Sequence, residues 1–168
     1  MDVAGATRDT AAMTGMPQDR AASQQAEFAV HGRYALRRRG RVIEVDVHDA
    51  WNYECMRRFA DDLKRAAAPL LPAPWAVLCD LRQWQLTVPE ADSINEELQL
   101  WSRENGQRWR AYVMPDSLLV ADRIEEYSQP IAGDIEERSF ATPAEARGWL
   151  QSLALYAADP SAPEGGDR

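Results

Sequence analysis

Few residues of this 168-residue chain have a type and spacing that could do chemistry, and they point in different directions. His31 and His48 are the only histidines, and a metal would need a second His, Cys or acid at ligand spacing from one of them. Neither has one, since His48 and Asp49 are adjacent rather than one helical turn apart. Both read as solvent-facing residues at a strand end and a helix start, and no metal or cofactor is expected. Cys79 lies in the apolar run Trp75-Ala76-Val77-Leu78-Cys79-Asp80-Leu81 with no base or helix start beside it. It reads as a small core residue rather than an activated thiol. Cys55 flanks an apolar helical stripe and reads the same way. The chain has no glycine-rich phosphate loop, no Gly-x-Ser-x-Gly and no paired-acid motif, and a non-enzymatic protein is expected.

Binding residues are easier to nominate. Asp80 closes an apolar strand at the edge where open α/β sheets take ligands. Arg82, two residues on, can pair with it. Trp84 follows in what reads as a loop, and a Trp on a loop marks a contact surface. Thr87, in Thr87-Val88-Pro89-Glu90, reads as the cap of the next helix. That helix start offers N–H groups suited to an anionic head group, and Trp84 can cover an apolar body. Asp80, Arg82, Trp84 and Thr87 are therefore the candidate ligand or partner surface. Trp51 and Trp101 can join Trp84 around a pocket, although Trp101 and Trp149 fall on apolar stripes and suit a core. A second patch is basic: Arg33, Arg37, Arg38, Arg39 and Arg41 crowd into nine positions. Such a patch can meet an acidic partner or an anionic membrane surface. The preferred reading is a charged turn that protects an edge strand, because Tyr34 is the only aromatic among them.

The elements that must hold these residues alternate along the chain. Phe28 to Leu36 reads as a strand, Arg39-Gly40-Arg41 as a hairpin turn, and Val42 to Val47 as a second strand with Ile43, Val45 and Val47 on one face. Asp49 is the expected cap of a first helix, whose stripe is Met56, Phe59, Ala60, Leu63, Ala66, Ala67 and Leu70, with Pro69 and Pro72 as the stop. Trp75 to Leu81 is a central strand. A second helix follows Thr87 with Ala91, Ile94, Leu98 and Trp101 inward and ends at Asn105-Gly106. Trp109 to Met114 is a fourth strand. Asp116 or Ser117 starts a third helix, with Val120, Ile124 and Tyr127 inward and Pro130 as its stop. Ile135 to Phe140 is a last strand. Thr142-Pro143-Ala144-Glu145 opens a final helix with a capping box and Pro at the first helical position. The expectation is an α/β fold with a mixed, mainly parallel sheet of about five strands and about four helices.

Three stretches are more specific than this alternation. They are the hairpin followed by the Asp49 helix, the strand ending Leu78-Cys79-Asp80-Leu81, and Phe140-x-Thr142-x-x-Glu145-Ala146-x-x-Trp149-Leu150. Together, over residues 28–155, they resemble the STAS fold of anti-sigma-factor antagonists, in particular the SpoIIAA-like (STAS/SEC14-like) group of small bacterial proteins. The resemblance implies a regulatory or protein-interaction module with a protein partner. Its SEC14-like side implies the alternative, a carrier or sensor of a small apolar or lipid-like ligand. STAS phosphoswitches carry an Asp-Ser-Ser-Gly-Leu-Gly-like segment at the start of the second helix. Here that place holds Leu86-Thr87-Val88-Pro89-Glu90-Ala91-Asp92-Ser93, without the glycines and with Pro89 intruding, so no phosphoswitch is expected.

Composition sets the outer bounds. Hydrophobic residues make up 45% of the chain and six are Trp, enough for a core. Net charge is −8, and residues 90–137 carry twelve acids against four Arg, which argues against nucleic acid as a partner. No apolar run is long enough for a transmembrane segment, and the first residues lack a secretory pattern, so a cytoplasmic protein with free thiols is expected. Residues 1–24 and 158–168 read as disordered tails flanking a domain over 25–157. A homodimer is compatible with the sequence.

Overall fold

The computed structural model describes residues 30–85, 87–115, 122, 124 and 135–156. Strands β1 (Arg33–Arg39) and β2 (Val42–Asp49) form the expected hairpin, with Arg39 opposite Val42 and Gly40 at φ 59° in the turn. Helix α1 (Tyr53–Ala67) runs into a 3-10 turn at Ala68–Leu70, where the proline stop was expected. Its start corrects the sequence reading. Asp49 is the last residue of β2, at φ 64°, and Asn52 is the cap, its Oδ1 accepting from the Cys55 N–H at 3.0 Å. The intervening residues turn Trp51 inward, where its indole N–H donates to the His48 carbonyl at 3.1 Å.

Strand β3 (Trp75–Trp84) continues past Leu81, so Trp84 ends a strand rather than sitting in a loop. Helix α2 (Asp92–Glu104) is entered through a 3-10 turn at Pro89–Ala91, not through a Thr87 cap. Pro89 holds Val88 extended at ψ 142°, and no side chain caps either the turn or the helix. Strands β4 (Gln107–Val113) and β5 (Glu136–Phe140) and helix α3 (Pro143–Ser152) complete the described elements. The Thr142 capping box is present in full: Oγ1 accepts from the Glu145 N–H at 3.3 Å, and Glu145 Oε2 accepts from the Thr142 N–H at 3.1 Å. The helix expected between Asp116 and Pro130 lies outside the described residues, apart from Asp122 and Ile124, which are helical. The expected tails also lie outside them.

The sheet order is β1-β2-β3-β4-β5, antiparallel between β1 and β2 and parallel elsewhere. Each face carries its own core. Ile43, Val45 and Val47 of β2 and Val77 and Leu81 of β3 pack with Phe59, Leu63, Ile94 and Leu98 of α1 and α2. Val42, Ala76, Leu78, Ala111 and Val113 on the other face pack with Ala146 and Leu150 of α3. Two irregularities break the alternation that a strand otherwise imposes. Asp46 pairs with Asp80 but His48 with Gln83, so β3 holds an extra residue and Trp84 comes opposite Asp49, in the row of Val45 and Val47. Trp75 pairs with Gln107 but Ala76 with Trp109, so β4 holds an extra residue at its start.

Candidate functional site

The two bulges and helices α1 and α2 shape a cavity of about 130 Å³ between the helices and the sheet. Val47, Val77, Cys79 and Leu81 form its floor, and Trp51, Met56, Phe59 and Leu63 form the α1 wall. Tyr34, Trp51 and Phe59 support that wall as a ring cluster, with Trp51 and Phe59 centroids 5.0 Å apart and Tyr34 5.3 Å from Phe59. Trp84 and Thr87 line the cavity where the chain leaves β3 for α2. Cys79 also lines it, and burial pushes the thiol up to about 12, so it stays protonated and unreactive at neutral pH.

The remaining wall mixes the apolar Ala91, Leu98 and Ile124 with a cluster of polar side chains. Asn95, Gln99 and Ser102 project from α2 at helical spacing, and Gln107, Arg110 and Tyr112 face them from β4. Arg110 is 7% exposed and Gln107 fully buried. The Arg110 guanidinium donates to Glu137 at 2.9 Å, to the Tyr112 hydroxyl at 3.2 Å, to Gln107 at 3.3 Å and to Gln99 at 3.4 Å. Burial opposes its charge, but Tyr112 and Glu137 outweigh that and hold its pKa above the ordinary value.

The candidate residues from sequence divide between the faces. Trp84 and Thr87 meet at the cavity. Asp80 and Arg82 do not line it, since they stand in the opposite row of β3. They bind each other: Arg82 donates to the two Asp80 oxygens at 2.9 and 2.7 Å and through its backbone N–H at 3.2 Å. Burial would raise the Asp80 pKa, and these bonds reverse it to below the usual carboxylate value. The basic hairpin is likewise engaged within the chain. Arg37 lies 3.4 Å from Asp46 and Arg39 3.8 Å from Glu44, while Arg41 donates to the Leu70 carbonyl at 2.8 Å and the Ala73 carbonyl at 2.6 Å. Arg38 is exposed. His48 faces Gln83 at 2.9 Å. Among the described residues no group of three or more His, Cys, Asp or Glu could hold a metal, and no helix is long and apolar enough to cross a membrane.

Sequence reasoning missed Asn95, Gln99, Ser102, Gln107 and Arg110. A signal existed for the first three. They interleave with the apolar stripe Ala91, Ile94, Leu98 at the same helical spacing, where a plain core face would be apolar. Gln107 had no such signal, because it joins Arg110 on this face only through the β4 bulge.

No family model matches the chain, and no curated protein matches it in sequence. Solved structures do. An uncharacterised protein from Shewanella loihica PV-4 with a SpoIIAA-like fold superposes over 72% of this chain and 94% of its own, at 16% identity and a TM-score of 0.55. The anti-sigma factor antagonist SpoIIAA in its unphosphorylated form aligns over 71% of this chain and 98% of its own, at 10% identity and a TM-score of 0.49. At such identities a likeness speaks to architecture alone, and with the mixed five-stranded sheet and helices on both faces, the chain has a SpoIIAA-like fold.

Proposed function

We propose that the chain is a non-enzymatic regulatory module whose input is a small apolar molecule held between the sheet and helices α1 and α2, and whose output is contact with a protein partner. The cavity carries this reading. Its volume of about 130 Å³ is close to that of engineered core cavities of roughly 150 Å³ that bind benzene. A body the size of one ring fits it, and a two-chain lipid does not. Among the described residues that line it Arg110 is the one charged side chain, and the apolar floor and α1 wall suit an apolar body. Thr87 lines the cavity and is half-buried, in keeping with an input other than phosphate.

The test is thermal unfolding and Trp emission during titration with toluene, cyclohexane and long-chain fatty acids. The first two are expected to raise the melting temperature and shift emission from Trp51 and Trp84, while the fatty acids are inert. Cys79→Phe, which fills the cavity from its floor, is expected to abolish the response. A melting temperature and emission unchanged by every compound would end the ligand reading and leave an interaction module alone.

A further inference from the structure

The cavity is mostly apolar, with hydrocarbon and ring surface from α1 and β3 and with Ala91, Leu98 and Ile124, and its polar side chains are gathered on α2 and β4. Buried polar side chains need partners, and a wall that concentrates them beside a cavity indicates what the occupant brings. Among the described residues five polar or charged side chains are buried, and Gln99, Ser102, Gln107 and Arg110, four of the five, line this cavity. Core packing alone would not gather them at one place.

Their unused capacity includes donors: the Arg110 guanidinium can only donate, and the Ser102 hydroxyl and the Asn95 amide can donate as well as accept. The acceptors facing Arg110 are already engaged by it: Glu137, Gln107 and Gln99 each take one of its N–H groups. The guanidinium has five N–H donors, and among the described residues its Nε–H has no acceptor. The Ser102 hydroxyl, on a residue 1% exposed, and the Asn95 amide have no hydrogen-bond partner among the described residues either. Charge narrows the choice further. Arg110 is the one charged side chain among the described lining residues and already holds Glu137 at 2.9 Å, so a ligand carboxylate would compete with Glu137 for it and an ammonium would face a guanidinium. We infer that the cavity takes a small hydrocarbon body bearing a neutral hydrogen-bond acceptor, such as a ketone, ester or amide carbonyl, with its oxygen toward Ser102, Asn95 and Arg110.

This inference rests on the ligand-binding reading above, and one set of compounds separates the two. Methylcyclohexane, cyclohexanone, cyclohexylammonium and cyclopentanecarboxylate share size and shape and differ in the polar group. Affinities at equal free concentration are read from melting temperature and Trp emission, the hydrocarbon being supplied as vapour. Cyclohexanone is expected to bind about tenfold more tightly than methylcyclohexane, the return of one or two net hydrogen bonds. Both ions are expected to bind more weakly than either. Ser102→Ala should remove most of the ketone's advantage and leave methylcyclohexane unchanged, and Asn95→Leu gives the same reading should Ser102→Ala not fold. If methylcyclohexane binds and the ketone gains nothing, or the carboxylate binds best, the acceptor inference fails and the ligand reading survives. If neither neutral compound binds, both fail.

Discussion

Glu44 is 4% exposed and is the one buried carboxylate among the described residues. Arg147 donates to both its oxygens at 3.0 Å and the Tyr156 hydroxyl donates at 2.8 Å, so one side chain of β2 fastens both α3 and the residues after it to the sheet. Burial would raise the Glu44 pKa, but the bonds from Arg147 and Tyr156 outweigh it and lower the pKa below the ordinary 4.5. A depressed carboxyl pKa stabilises the fold fully above the unfolded-state value, and the stabilisation is lost as pH falls through the folded-state value. Glu44→Gln is expected to cost about 2 kcal/mol near pH 7, less than for a fully buried pair because Arg147 remains partly solvated. The difference between wild type and variant in urea unfolding should narrow as pH falls below the unfolded-state value and close once it has passed the folded-state one, as the wild-type carboxyl takes up its proton. A difference constant with pH would mean that packing, not charge, holds α3. Strand alternation puts Glu44 on the face of β2 opposite Ile43 and Val45, and that is where it lies. What a strand pattern cannot show is that a helix a hundred residues later covers the outward face and turns a surface acid into a buried one.

Helix ends show how far local sequence reaches. Thr142 and Thr87 each precede a Pro and an acid, and only Thr142 caps a helix. The difference is spacing. Pro143 follows Thr142 directly, with Thr142 extended at φ −133°, whereas Val88 separates Thr87 from Pro89 and takes the flanking position itself. Thr142→Ala is expected to lower stability by about 1 kcal/mol, and Thr87→Ala to change it by less than about 0.5 kcal/mol in the absence of ligand. Gly148, exposed within α3 with nothing near its missing side chain, supplies the opposite sign: Gly148→Ala should raise stability by about 0.5 to 1 kcal/mol. Urea unfolding of the three variants checks the set, and equal losses at both threonines would contradict the cap assignment. Strand periodicity placed Ile43, Val45, Val47 and the apolar stripes of α1 and α2 correctly, because burial follows alternation there. It failed at Trp84 and Gln107, each displaced by one extra residue in a strand. Such a bulge depends on the pairing of two strands, and neither strand records it alone.

At the scale of the molecule, the overall architecture was legible because strands and helices alternate along the chain and each strand pairs with the one before it. The cavity was legible only as a place, the Trp84 end of β3, and not as a chemistry, since its polar wall comes from the two elements read as plain core and plain strand. The strand order has a further consequence for how the protein is made. Each strand pairs with the one synthesised before it, so β1 to β4, α1 and α2 can assemble while the rest of the chain is still within or behind the ribosome. The half built last is the cover: until α3 arrives, Val42, Ala76, Leu78, Ala111 and Val113 face water. A chain ended after residue 135 is therefore expected to bind a hydrophobic dye strongly at this face, and dye binding no greater than that of the full chain would refute it. Nascent protein is thus expected to pass through a stage in which the cavity-side half is formed and the reverse side is adhesive, and that interval, set by the translation time of about forty residues at roughly 5–20 residues per second, is when the chain most needs a chaperone.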